Sequence, residues 1–177
     1  MPAYLLLLLA VLSRLLPHAS WLNFTAVGGA LLYFGARRSW REMLAPLVAL
    51  AAVDYVLTTF VYHYSFVWSA YIPTWAWYLA AMALGRILLR SQTTLPRVAA
   101  AVVLGPTSFF LISNFAVWLG STMYPQNFGG LVECYVAAIP FYRNDVISTA
   151  IVAGLAFGLP EMLRRMKEQD AGEVTVR

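Results

Sequence analysis

Apolar residues fill this chain in long blocks, and polar residues collect between the blocks. Blocks at 3–16, 21–36, 43–62, 72–89, 98–119 and 146–163 each predict a helix. A membrane crossing takes about 20 apolar residues, so most of these are span-sized. Pro17 ends the first block, residues 18–20 make a turn, and Arg14 interrupts the block late. A cleaved leader is the competing reading for 3–16, but no basic segment precedes its apolar core and an arginine follows it. The second block is short and rich in small residues. Ala26, Ala30 and the Gly28-Gly29 pair would let a neighbouring helix approach closely. Asp54 stands alone in the middle of the third block. It is predicted to face the bundle interior and pair with a hydroxyl, an amide or an arginine of a neighbouring helix.

One stretch departs from this pattern. Residues 113–145, SNFAVWLGSTMYPQNFGGLVECYVAAIPFYRND, bring Asn114, Asn127, Glu133, Cys134, Arg143 and Asp145 together with several aromatic rings. Polar and ionisable groups are expensive at membrane depth, so such a cluster is a functional-site hypothesis. The competing reading is a polar loop outside the membrane with interfacial aromatics. Gly120, Gly129, Gly130, Pro125 and Pro140 predict broken helix, which bilayers tolerate only where it is buried in protein or lines a watery cavity. Residues 131–140 are expected to form a short re-entrant helix. Asn114 and Trp118 are four apart and share a helix face. The breaks beyond them are expected to fold the chain back, so that Asn114, Trp118, Tyr124, Glu133, Arg143 and Asn144 converge on one outward-opening cavity. Trp75 adds a stacking wall. Arg143 is expected to pair with Glu133 or Asp145, or to await an anionic group on a ligand. The same set would also serve simply to pin the loop to the bundle.

Composition turns blocks into spans. Of 177 residues, 61% are hydrophobic and only 11% are charged, against about 25% charged in ordinary soluble domains. The predicted class is therefore all-α: a polytopic bundle of about six transmembrane helices, forming one domain over 1–168 with a polar cytoplasmic tail at 169–177. The basic residues orient it. With both termini cytoplasmic, Arg37, Arg38, Arg41, Arg86, Arg90, Arg97, Arg164, Arg165, Lys167 and Arg177 lie inside, leaving Arg14 and Arg143 outside. That asymmetry follows the positive-inside rule and places the 113–145 stretch at the outer face of the inner membrane. Because the basic residues are spread over span ends, nucleic acid is not an expected partner.

Several chemistries lack their residues. No GxxxxGK[ST], HExxH or GxSxG occurs, and the single lysine is in the tail, so the chain cannot cradle ATP by itself. His18 and His63 sit on separate loops, and neither a metal nor another cofactor is expected. The lone Cys134 excludes an internal disulfide and reads as a buried thiol. Glu133 and Cys134 are the only candidates for an enzymatic role, and no enzyme is expected.

Two resemblances add to this. The words Arg14-Leu-Leu-Pro17-His18, Asn23 to Gly28, Ser113 to Trp118, Tyr124-Pro125, Gly130-Leu131 and Ala138 to Phe141 resemble a family of small bacterial membrane proteins of unknown activity, over most of the chain. More distantly, Leu104-Gly105-Pro106 and Ile139-Pro140-Phe141 followed by Asn144-Asp145 are similar to the S-components of energy-coupling-factor vitamin importers. Here Asn144 stands where Gly is usual. That resemblance implies a substrate-capturing subunit that binds a small molecule from outside and works with a transmembrane coupling subunit and an ATPase module. Ala26 and Ala30 would form the partner-facing surface. The alternative is a non-transporting accessory subunit of a larger membrane complex.

Overall fold

The computed structural model describes residues 1–15, 24–160 and 162, so Pro17, the turn at 18–20 and the tail at 169–177 lie outside the described residues. All regular structure among them is helical. α1 (Pro2–Leu15) and α2 (Val27–Arg37) are followed by a 3-10 turn, Arg41–Met43, that leads into α3 (Leu44–Val56). α3 runs on through a π turn, Leu57–Val61; then come α4 (Trp68–Leu89), α5 (Leu95–Gly120) and α6 (Phe128–Ala153), which ends in a second π turn, Gly154–Gly158. Among the described residues, three segments are long and apolar enough to cross a membrane: Arg41–Val61, Trp68–Leu89 and Leu95–Gly120. Outward-facing side chains along the bundle are apolar too, among them Leu5, Leu8, Val48, Ile87, Leu111, Phe115, Ile147 and Ile151. Exposed apolar surface of that extent suits lipid rather than water.

The largest departure from expectation is α6. The predicted re-entrant helix at 131–140 and the separate span at 146–163 are one continuous helix from Phe128 to Ala153. Gly129 and Gly130 do not break it because they occupy its first turn. Asn127 caps that turn, its side chain accepting from the Gly130 N–H at 2.9 Å, which satisfies one of the donors a helix start leaves unpaired. Gly130 must be glycine for another reason: a Cβ there would collide with the Pro125 carbonyl oxygen. Pro140 sits inside the helix, where membrane helices accommodate it.

α2 is the hub. It is only 11 residues, about 16 Å long at 1.5 Å per residue, and nine of the 11 are buried. It packs on α1, α4 and α6. Glycine makes this possible: a Cβ on Gly29 would lie 2.6 Å from Val152 of α6, and one on Gly35 would overlap the Met82 carbonyl of α4. Ala26 and Ala30 are therefore not a partner-facing surface. They are 7% and 3% exposed, covered by the chain's own helices, and the expectation of a docking face there is corrected. The small residues serve close packing within the bundle.

Asp54 behaves as its isolation in an apolar block demands. Its Oδ1 lies 2.7 Å from Arg14 Nη2 of α1. Oδ2 accepts from Trp75 Nε1 at 3.0 Å and from the Tyr78 hydroxyl at 3.3 Å, both on α4. Arg14 also donates to the Tyr78 hydroxyl. One carboxylate thus ties three helices together.

Candidate functional site

Beside this cluster, α5 and α6 enclose a cavity of about 360 Å³. From α5 it is lined by Pro106, Phe109, Phe110, Ser113, Asn114 and Val117; from α6 by Cys134, Ala137, Ala138, Phe141, Tyr142 and Asp145. The two sets have the same spacing, i, i+3, i+4, i+7, i+8, i+11, which is one face of an α-helix. Tyr124 of the connecting loop lines the cavity as well. Cross-helix hydrogen bonds hold the walls: Tyr142 with Thr107 Oγ1 at 2.9 Å, the Tyr135 hydroxyl to the Leu111 carbonyl at 2.7 Å, and Cys134 Sγ to the Asn114 carbonyl at 3.4 Å. Phe110 packs between the rings of Tyr142 and Tyr135, at centroid distances of 4.9 and 5.2 Å.

A smaller cavity of about 170 Å³ lies next to it, at the start of α2. Thr25, Val27 and Gly28 line it with Arg14, Asp54, Tyr71, Thr74, Trp77 and Tyr78. Phe109 and Asp145 line both cavities and stand between them. Phe109 is held against Trp77, 4.6 Å away, and the Trp77 indole donates to the Gly105 carbonyl at 3.2 Å. Asp145 is 5% exposed. Thr149 Oγ1 approaches its Oδ1 at 3.5 Å, well beyond the ~2.7–2.8 Å of a good hydroxyl bond. No ion pair to Asp145 occurs among the described residues.

Of the predicted site residues, Asn114 and Tyr124 line the larger cavity. Asn114 spends its amide N–H on the Phe110 carbonyl at 2.7 Å, leaving its side-chain oxygen as acceptor. Trp118 turns away to donate to the Pro125 carbonyl at 2.9 Å, which closes the loop at 121–127. Trp75 belongs to the Asp54 cluster, with its ring stacked beside Tyr71 and Phe66. Glu133 and Arg143 are exposed on the outside of α6, and Asn144 is half-buried outside both linings. Continuous helix explains the separation: Arg143 and Asn144 fall off the face that carries Ala138, Tyr142 and Asp145. The predicted pairing of Arg143 with Glu133 or Asp145 does not form.

Phe109, Tyr142 and Asp145 were not among the predicted site residues. The signal for them was the helical spacing of Cys134, Ala138, Tyr142 and Asp145, masked by the apparent breaks at Gly129, Gly130 and Pro140. Among the described residues, no group of three His, Cys, Asp or Glu side chains is placed to hold a metal ion.

The protein-family model described as Family of unknown function (DUF6580) matches residues 1–170. The chain belongs to that family. No curated protein and no solved structure matches it. The family carries no activity to transfer, so function in this DUF6580 chain has to be argued from the cavity.

Proposed function

We propose that this protein is a membrane-embedded solute-capturing subunit, which takes a small molecule into the α5–α6 cavity from the outer face. The observation that carries the reading is the cavity itself. Two helices give matching faces to a mostly apolar and aromatic space, with a few polar groups at set positions. Small-molecule sites have that character, at ~300–1,000 Å³, and this one is at the small end of that range. In this reading the chain passes the inner membrane about six times and both termini are cytoplasmic. Six arginines support the orientation: Arg37, Arg38, Arg41, Arg86, Arg90 and Arg97 all sit at or near the 38–43 and 90–94 connections. Arg86 donates to the Arg38 carbonyl at 2.9 Å, joining those two connections at one end of the bundle. The positive-inside rule makes that end cytoplasmic, and the Tyr124 loop belongs to the other.

Two measurements test this. Protein extracted gently from its native membrane should carry one small molecule per chain in a native mass spectrum. Ala138→Trp, which fills the cavity, should lose that mass while keeping its thermal midpoint within a few degrees. Equal spectra for the two proteins, with no added mass, would remove the reading. Separately, in a Cys134→Ala background, a cysteine at Ser121 or Gln126 should react with an impermeant thiol reagent on intact cells, and one at Ser39 or Gln92 should not. The reverse pattern would turn the cavity mouth to the cytoplasm.

Arg143 favours a second, compatible role as a subunit of a larger membrane complex. It is exposed about 22 Å along α6 from Phe128, at 1.5 Å per residue, on a side of the helix shared with Val136 and Ile147. A charge facing lipid at that depth is costly, and a carboxylate on a partner's membrane helix would relieve it. An importer subunit without an ATP site needs such a partner for energy. Arg143→Leu is then expected to strip a co-purifying membrane protein without changing the solute mass; retention of that protein would argue against this surface.

A further inference from the structure

We infer that the solute taken by the α5–α6 cavity is a small organic cation with an apolar body, with Asp145 as its counter-ion. The inference rests on the solute-binding reading and names its ligand class. It follows from accounting for charge around the two adjoining cavities. Among the described residues Arg14 is the one basic residue lining either of them, and it is taken by Asp54 at 2.7 Å, with the Tyr78 hydroxyl bridging the pair. Those two charges cancel. Asp145 is the carboxylate left over, 5% exposed, with one distant hydroxyl approaching it and no cation among the described residues. A buried carboxylate without a partner is costly to keep charged, and a bound cation would supply the partner that the described residues do not.

The rest of the lining fits the same ligand. Phe109, Phe110, Phe141, Tyr124 and Tyr142 surround the cavity, and the faces of aromatic rings attract cations, more strongly where water is excluded. None of the described residues lining the space is basic, and Arg143 is on the outside of α6. A bare inorganic cation is a poor match. Hard cations such as Ca²⁺ want 6–8 oxygen ligands, whereas rings, alanines and a proline make up most of this wall. The Asn114 side-chain oxygen offers one further acceptor to a ligand N–H or O–H.

The test uses three probes of similar shape and different charge on the purified full-length protein in an uncharged detergent. They are benzyltrimethylammonium, its neutral carbon counterpart neopentylbenzene, and the anion phenylacetate. Benzyltrimethylammonium should saturate at one per chain and bind at least about tenfold more tightly than either of the others. Asp145→Asn keeps the side-chain shape, and should weaken the cation by about tenfold or more while leaving neopentylbenzene unchanged. If Asp145→Asn does not fold, the wild-type preference among the probes decides alone. Equal binding of the cation and its neutral counterpart, or preference for phenylacetate, would overturn the charge assignment and leave solute capture standing, provided Ala138→Trp abolishes that binding. Absence of saturable binding by the cation would also overturn the assignment. The solute-binding reading would then stand or fall on the native mass spectrum.

Discussion

Asp54→Ala is expected to destabilise the protein by about 3–5 kcal/mol, the usual cost of removing one member of a buried ion pair. The loss is larger than one contact because Asp54 is a junction. Its side chain is 1% exposed, whereas that of Arg14 is 23% exposed. Without the carboxylate, the Arg14 guanidinium keeps only the Tyr78 hydroxyl among the described residues, and the Trp75 indole N–H loses its acceptor. α1, α3 and α4 lose their shared anchor together. Removing both charges is a different experiment. Replacing a buried pair by apolar residues of similar size is often neutral or stabilising, so Arg14→Met with Asp54→Leu should recover most of what Asp54→Ala loses. Thermal midpoints in detergent for the single and double variants measure this. If Asp54→Ala shifts the midpoint no more than Ile147→Ala on the exposed surface of α6, the cluster does not hold the helices.

Gly35→Ala and Gly85→Ala should each cost about 3 kcal/mol or more, beyond the usual 1–3 kcal/mol of overpacking. The contact is reciprocal. A Cβ on Gly35 would overlap the Met82 carbonyl, and one on Gly85 would overlap the Leu32 carbonyl. Both obstacles are backbone, so no rotamer change relieves them and α2 must move away from α4. Because α2 also packs on α1 and α6, that movement disturbs the whole bundle. Gly154→Ala is the control. None of the described residues lies within 4 Å of a Cβ there, and it should be neutral or stabilising by up to about 1 kcal/mol, since alanine is the better helix former. Similar losses at Gly35 and Gly154 would mean that the α2–α4 approach is not the constraint.

Glycine shows how unevenly the fold could be read in advance. The Gly28-Gly29 pair was legible as a close-packing surface because two small residues adjoin in an apolar block. Gly35 and Gly85 are single glycines in different helices, and only their juxtaposition gives them a role. Gly129 and Gly130 were misread for the same reason. In a sequence they are breakers; beside the Asn127 cap and the Pro125 carbonyl they are the first turn of a helix. That misreading, together with Pro140 taken as a break, split α6 and displaced the candidate site. Asn114 and Tyr124 kept their places because the end of α5 and the loop after it were read correctly. Glu133, Arg143 and Asn144 did not, since a fold-back was needed to bring them round to the cavity.

What the sequence determined by itself were the properties that depend on composition and on the cost of polarity in an apolar medium. A chain with apolar blocks this long had to form helices, because a helix satisfies its backbone bonds within one segment, without water or a neighbouring strand. An isolated Asp54 in an apolar block had to turn inward and find donors. Which donors it found was a tertiary decision: Arg14 was read as an outer-face residue, and Trp75 as a ligand wall. Packing also decided which carboxylate faces the cavity. Asp145 and Arg143 are two residues apart, and periodicity alone says only that they point in different directions. The packing of α2 and α5 against one side of α6 turned Asp145 inward and left Arg143 facing out, because a helix can bury only the side its neighbours cover.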